Sequence, residues 1–207
     1  MKGFVNGYYR LSLWVSLFAY LNLLWVVFSI AGVGVLGFMP ATAAMFAVIR
    51  KWIMKEEVAV FKTFWRYFKK EFIKVNILGY IIFAVGYLLY IEFRILWSSG
   101  ETIYLIASFG VFALFILYTI VLVYFFPIFS HFELKKVNYF KWPFIIGIVH
   151  PILTIFLIIT LNVLYYMTFI TIPALLVCFG GSVTAYILTW GAFKTFPKYE
   201  KVEARTV

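Results

Sequence analysis

Long uncharged runs alternate with short basic segments along this chain. No Asp, Glu, Lys or Arg occurs from Leu11 to Ile49, from Thr102 to Phe126, or from Pro143 to Phe193. A spanning helix needs about 20 apolar residues and must satisfy its own backbone hydrogen bonds inside the bilayer. The pattern therefore predicts an all-α polytopic bundle of about five spans, near 11–31, 72–91, 102–126, 144–166 and 172–193. The first run is too long for one span and short for two. It is punctuated by Gly32, Gly34 and Gly37, and Pro40 then opens a short helix, ATAAMFAVIRKW. The small residues Ala41, Thr42, Ala43 and Ala44 suit close helix contact, and whether this piece enters the bilayer or lies on it stays open. A signal peptide would have a shorter apolar region, so the first run is read as a retained span.

The longest departure from membrane-like apolarity lies between the first two spans. Over about 57–72, Phe61, Phe64, Trp65, Phe68 and Phe72 recur at helical spacing, while Lys62, Arg66, Lys69 and Lys70 take the other side. This is a basic amphipathic helix. Its aromatic face is expected in lipid or against the bundle, and its cations against anionic headgroups or an acidic partner. A second polar segment, IFSHFELKKVNYFKW, follows the third span, and the tail KTFPKYEKVEARTV reads as charged and mobile. Glu92, Arg94 and Glu101 are expected in the loop after the second span, which is taken to end near Ile91.

Composition agrees with the pattern. Hydrophobic residues make up 65% of the 207, charged residues 13%, and mean hydropathy is strongly positive, which excludes a water-soluble domain. The net charge of +10 would suggest nucleic acid in a soluble protein, but the cations flank apolar spans, where topology accounts for them. Nucleic-acid binding is accordingly set aside. With five spans, one side collects fourteen cations and the other three, Lys2, Arg10 and Arg94, when Lys74 is left out as part of a span. The positive-inside rule then puts the N-terminus outside and the C-terminus in the cytoplasm. A return span within 32–49 would instead place the N-terminus inside.

Candidate chemistry is sparse. Asp is absent, and the single Cys178 reads as a small packing residue. His131 and Glu133 lack a third and fourth ligand for a metal, and no cofactor signature occurs, so no cofactor and no enzymatic activity are expected. The intramembrane polar residues Asn22, Asn76, His150 and Asn162 form the candidate polar site. The structural alternative is that the asparagines tie helices together and that His150 bonds a backbone carbonyl freed by Pro151.

The segments GFVNGYYRLSLWV, YLNLLWVVFSIAGVGVLGFMPATAAMFAVIRKW and FKTFWRYFKKEFIKVNILGY resemble the YesL-like family of small bacterial membrane proteins of uncharacterised function. The likeness is strong over the first 80 residues and looser beyond, where FPIFSHFE carries it. The resemblance implies a multi-pass protein of the bacterial cell membrane that accompanies carbohydrate uptake systems with ABC importers. An accessory or regulatory, non-catalytic subunit that contacts the importer permease is the function this suggests. The alternative is a small transporter or channel acting as a homo-oligomer.

Overall fold

A computed structural model describes residues 2–32, 34–99 and 101–196. The described residues form seven helices: α1 (Lys2–Ala31), α2 (Val35–Ile53), α3 (Val60–Ser98), α4 (Thr102–His131), α5 (Asn138–Val149), α6 (Pro151–Thr171) and α7 (Ala174–Phe193). Six of them, all but α5, are long and apolar enough to cross a membrane. The addition to the five expected is α2, the short helix after the glycines.

α2 is the centre of the bundle. Every residue from Ala41 to Ile49 is buried, and no other stretch of that length outside this helix is so among the described residues. Alanine makes this geometry available, because a helix with little side-chain bulk lets several neighbours approach its backbone. The entry to α2 is equally tight. A Cβ on Gly37 would lie 2.5 Å from the Ser29 carbonyl oxygen and 2.6 Å from that of Phe28, so α1 and α2 meet backbone to backbone.

Pairings along α1 fix the directions of three helices. Trp14 meets Trp52 at 5.9 Å and Trp25 donates to Thr42, so α2 runs antiparallel to α1. Phe18 packs on Tyr186 at 5.4 Å, while Asn22 reaches Val177 and Ser182, so α7 is antiparallel to α1 as well. The beginning of α1 and the ends of α2 and α7 therefore share one end of the bundle. The expectation of opposite ends followed from five crossings, and the added helix α2 changes the parity.

Several boundaries differ from those expected. The amphipathic segment and the second span are a single helix, α3, because no helix-breaking residue separates them. Glu92 and Arg94 thus lie on α3, not in a loop, and Glu101 is the N-cap of α4. Pro127 does not end α4, since Ile128, Phe129 and Ser130 beyond it are buried and their packing carries the helix on. The span expected at 144–166 is divided at His150, whose φ of −121° and ψ of 61° are not helical, as a residue before proline prefers. Of the tail, Thr195 and Phe196 are buried, with Phe196 stacked 4.8 Å from the His131 ring. From Pro197 onward the tail lies outside the described residues.

Candidate functional site: a basic interfacial face and the polar pocket beside it

The first turns of α3 carry the basic face. Lys62, Arg66, Lys69 and Lys70 are all exposed, and only Lys70 forms an ion pair among the described residues. Lys70 Nζ lies 3.2 Å from Glu133 Oε1 and 3.7 Å from Glu71 Oε1. The hydrogen bond to Glu133, and then the fields of Glu133 and Glu71, raise the Lys70 pKa above the ordinary lysine value. Lys69 sits 4.7 Å over the Trp65 ring.

The aromatic face of the same helix is turned inward. Phe28 of α1 is ringed by Phe61, Phe64, Trp65 and Phe68 at centroid distances of 5.2–6.4 Å. Phe64 and Phe68 are buried, Phe72 is half-buried, and Phe61 and Trp65 keep an exposed edge. Protein therefore takes up the core of the stripe, and the cations are left outward.

Beside this face lies a polar pocket of about 60 Å³, walled by α2, α3, the end of α4 and the start of α5. Arg50 Nη2 donates to the Tyr67 hydroxyl at 3.2 Å, while Arg50 Nε is buried and meets no hydrogen-bond acceptor. Lys74 Nζ donates to the Tyr139 hydroxyl at 2.9 Å and lies 4.7 Å over that ring. Tyr139 is the organiser of this wall. Its hydroxyl accepts from the Leu134 amide and donates to the Phe132 carbonyl, each at 2.9 Å, which folds 132–134 back over the pocket. Sequence reasoning counted Arg50 and Lys74 only as topological charges and passed over Tyr67 and Tyr139. The available signal was the position of Arg50 and Lys74 at the apolar boundary, where a cation has to find polar company.

The intramembrane polar residues do not meet in one site. Asn22 is buried and spans two backbone groups of α7, donating to the Val177 carbonyl at 2.7 Å and accepting from the Ser182 amide at 3.1 Å. Gly181 makes room for it, because a Cβ there would sit 2.9 Å from Asn22 Oδ1. Asn76 donates to Leu36 O at 3.0 Å and to Phe72 O at 2.9 Å. The Leu36 carbonyl is the one that Pro40, lacking an N–H, leaves without its helical donor. The same logic holds at Pro151, which frees the Gly147 carbonyl. His150 was expected to take that role, but Thr154 Oγ1 donates to Gly147 O at 3.1 Å, while His150 Nδ1 lies 3.3 Å from Ile146 O. Asn162 is exposed on the outer surface and bonds only its own helix at Ile158 O. His131 caps the pocket side of α4, and no cluster of three metal-ligating side chains occurs among the described residues.

Six apolar helices, one of them the alanine-rich centre, with polar side chains consumed in mending prolines and joining helices, define a multi-pass α-helical membrane protein with one polar, basic end. Comparison with known proteins gives the family. The chain belongs to the family described as "Protein of unknown function, DUF624", whose model matches residues 18–93. It is 36% identical over 197 residues to the uncharacterised protein YesL of Bacillus subtilis (strain 168), covering 92% of this chain and 90% of that one. It is 35% identical to the uncharacterised YteU of the same organism, over 86% of this chain and 79% of YteU, and 32% identical to the uncharacterised YesV, over 88% of each. No solved structure matches the chain.

Proposed function

We propose that this protein is a non-catalytic accessory subunit of the bacterial cell membrane, which docks a permease of a solute uptake system through the basic face of α3. The observation that carries the reading is the division of labour on that helix. Its aromatic stripe closes around Phe28 of α1 while the helix lies along α2, so Lys62, Arg66 and Lys69 are displayed on a packed support and have no carboxylate partner within the described residues. A surface held in place this way suits an acidic protein partner better than a mobile headgroup layer, because less side-chain and backbone freedom is lost on contact. Carbohydrate as the solute class, and an ABC importer as the system, rest on the family resemblance.

The orientation that accompanies this reading puts the basic end in the cytoplasm. With both ends of the chain on one side, sixteen cations gather there and Arg94 alone belongs to the other, leaving out Lys74 within α3. Native-membrane pull-down with mass spectrometry tests the function. Permease subunits should be recovered with the native protein and lost with the Lys62→Gln, Arg66→Gln, Lys69→Gln variant, which leaves Lys70 on Glu133. Full recovery with the variant would remove the docking role. Solute flux from the protein alone in liposomes would favour the transporter reading instead.

A further inference from the structure

The pocket beside the basic face carries hydrogen-bond donors that are not fully used. Arg50 Nε is a buried donor without an acceptor, an arrangement that is unfavourable when nothing satisfies it. The Tyr67 hydroxyl accepts from Arg50 and keeps its own proton to give. Lys74 spends one of its three protons on Tyr139. Tyr139 itself is fully engaged and serves as wall. The charges are also sorted. Of the two carboxylates in the lining, Glu71 and Glu133, both turn to Lys70, and neither lies within 4.0 Å of Arg50 or Lys74. Guanidinium and ammonium thus face a common space bounded by phenols and aromatic rings.

We propose that this pocket is an oxyanion site for a phosphate group, held by Arg50, the Tyr67 hydroxyl and Lys74. The volume, about 60 Å³, holds on the order of four water-sized spheres at the 10–15 Å³ each requires, which gives room for the head of a phosphomonoester. A phosphate uses more of the donors than a carboxylate can, since it presents acceptors to a planar guanidinium fork, an ammonium and a hydroxyl at once. The mouth lies at the exposed Lys70 and Glu133, so the rest of the ligand extends to the surface of the basic end. The group is supplied either by a lipid headgroup or by a soluble phosphate. The inference is independent of the docking role of the basic face.

The test uses the full chain in phosphatidylcholine nanodiscs. Inorganic phosphate binding is followed by phosphorus NMR line broadening, with acetate as competitor, and phosphatidic acid doped into the discs is followed by its retention in native mass spectrometry. Binding in either arm by the native protein, weakened about 10-fold or more by Arg50→Gln, is expected. Lipid retention alone assigns the headgroup source, and phosphate binding alone the soluble one. The triple Gln variant at Lys62, Arg66 and Lys69 should bind as the native protein does, which separates this site from the docking reading. Should Arg50→Gln fail to fold, Tyr67→Phe removes one oxygen and is expected to weaken binding about 3- to 10-fold. No binding in either arm, unchanged binding in the variants, or equal competition by acetate would each overturn the assignment.

Discussion

α2 and α6 invert the usual equation of hydrophobicity with burial. In its most apolar 18 residues α2 has 61% buried inside the bundle, whereas α6 has 11%, although α2 is the least apolar of the six membrane-length helices. The difference teaches what each solvent asks of a helix. Lipid favours large apolar side chains, and α6 supplies Ile152, Ile155, Phe156, Ile159 and Phe169, all exposed. Protein neighbours ask for proximity, and α2 supplies alanine and threonine. A helix that meets mostly protein has no need to look like one that meets mostly lipid.

Matched substitutions at the centre and the rim put that comparison at risk. The largest effect is expected for glycine. Gly37→Leu drives a side chain into the Phe28 and Ser29 carbonyls, which are backbone and cannot yield, whereas a Cβ on Gly110 of α4 meets nothing within 4 Å. Gly37→Leu should abolish the monodisperse peak in detergent size-exclusion chromatography, and Gly110→Leu should leave it unchanged. Equal behaviour of the two would mean that α1 and α2 are not in backbone contact.

A smaller effect is expected at the asparagines. Asn22→Leu strands the Val177 carbonyl and the Ser182 amide, and should destabilise by about 1–3 kcal/mol on the general cost of unmet buried groups. Interhelical hydrogen bonds inside membranes average about 0.6 kcal/mol, which sets the lower bound of the expected loss. Asn162→Leu loses only a bond within its own turn and should be neutral or stabilising. Thermal unfolding in detergent checks the pair, and a larger loss at Asn162 would reverse the assignment of inner and outer faces.

The solvent-exposed tie between Lys70 and Glu133 should matter least. Because the pair raises the Lys70 pKa, its contribution is complete below the ordinary lysine value of about 10.4 and is lost as pH rises through the higher folded value. Native protein and Glu133→Gln should differ by at most a few tenths of a kcal/mol between pH 6 and 9, as exposed pairs do. A difference that appears or vanishes within that window would mean another group titrates there.

Much of this was legible from residue order. The all-α class, the apolar spans, the two-faced segment at 57–72 and the closeness implied by Ala41 to Ala44 all follow from local pattern. Whether α2 enters the bilayer stayed open because its alanines and its terminal Arg50 and Lys51 give a weak apolar signal, and only neighbours reveal why a helix long enough to cross need not be more apolar. The continuity of α3 could have been read, since nothing between Val58 and Leu78 breaks a helix. The passage of α4 through Pro127 could not, because it depends on the burial of Ile128 and Phe129 against distant parts of the chain. Asn22 and Asn76 were recognisable as helix-joining residues, yet their partners, 155 and 40 positions away, were not. The pocket joins Arg50 to Tyr67 and Lys74 to Tyr139, the latter across 65 positions, and no periodicity in the sequence marks such a meeting.

The unbroken course of α3 has a mechanical consequence. Its 39 residues make a rod of about 58 Å at 1.5 Å per residue, roughly twice the thickness of a hydrocarbon layer. Gly79 is pressed closely on Met39 near the middle, and the far arm carries Phe93 against Phe115 of α4. One stiff element therefore reaches from the basic turns at one end of the bundle, past the alanine-rich centre, to Phe93 at the other, and an upright helix of that length stands clear of the acyl chains at its ends.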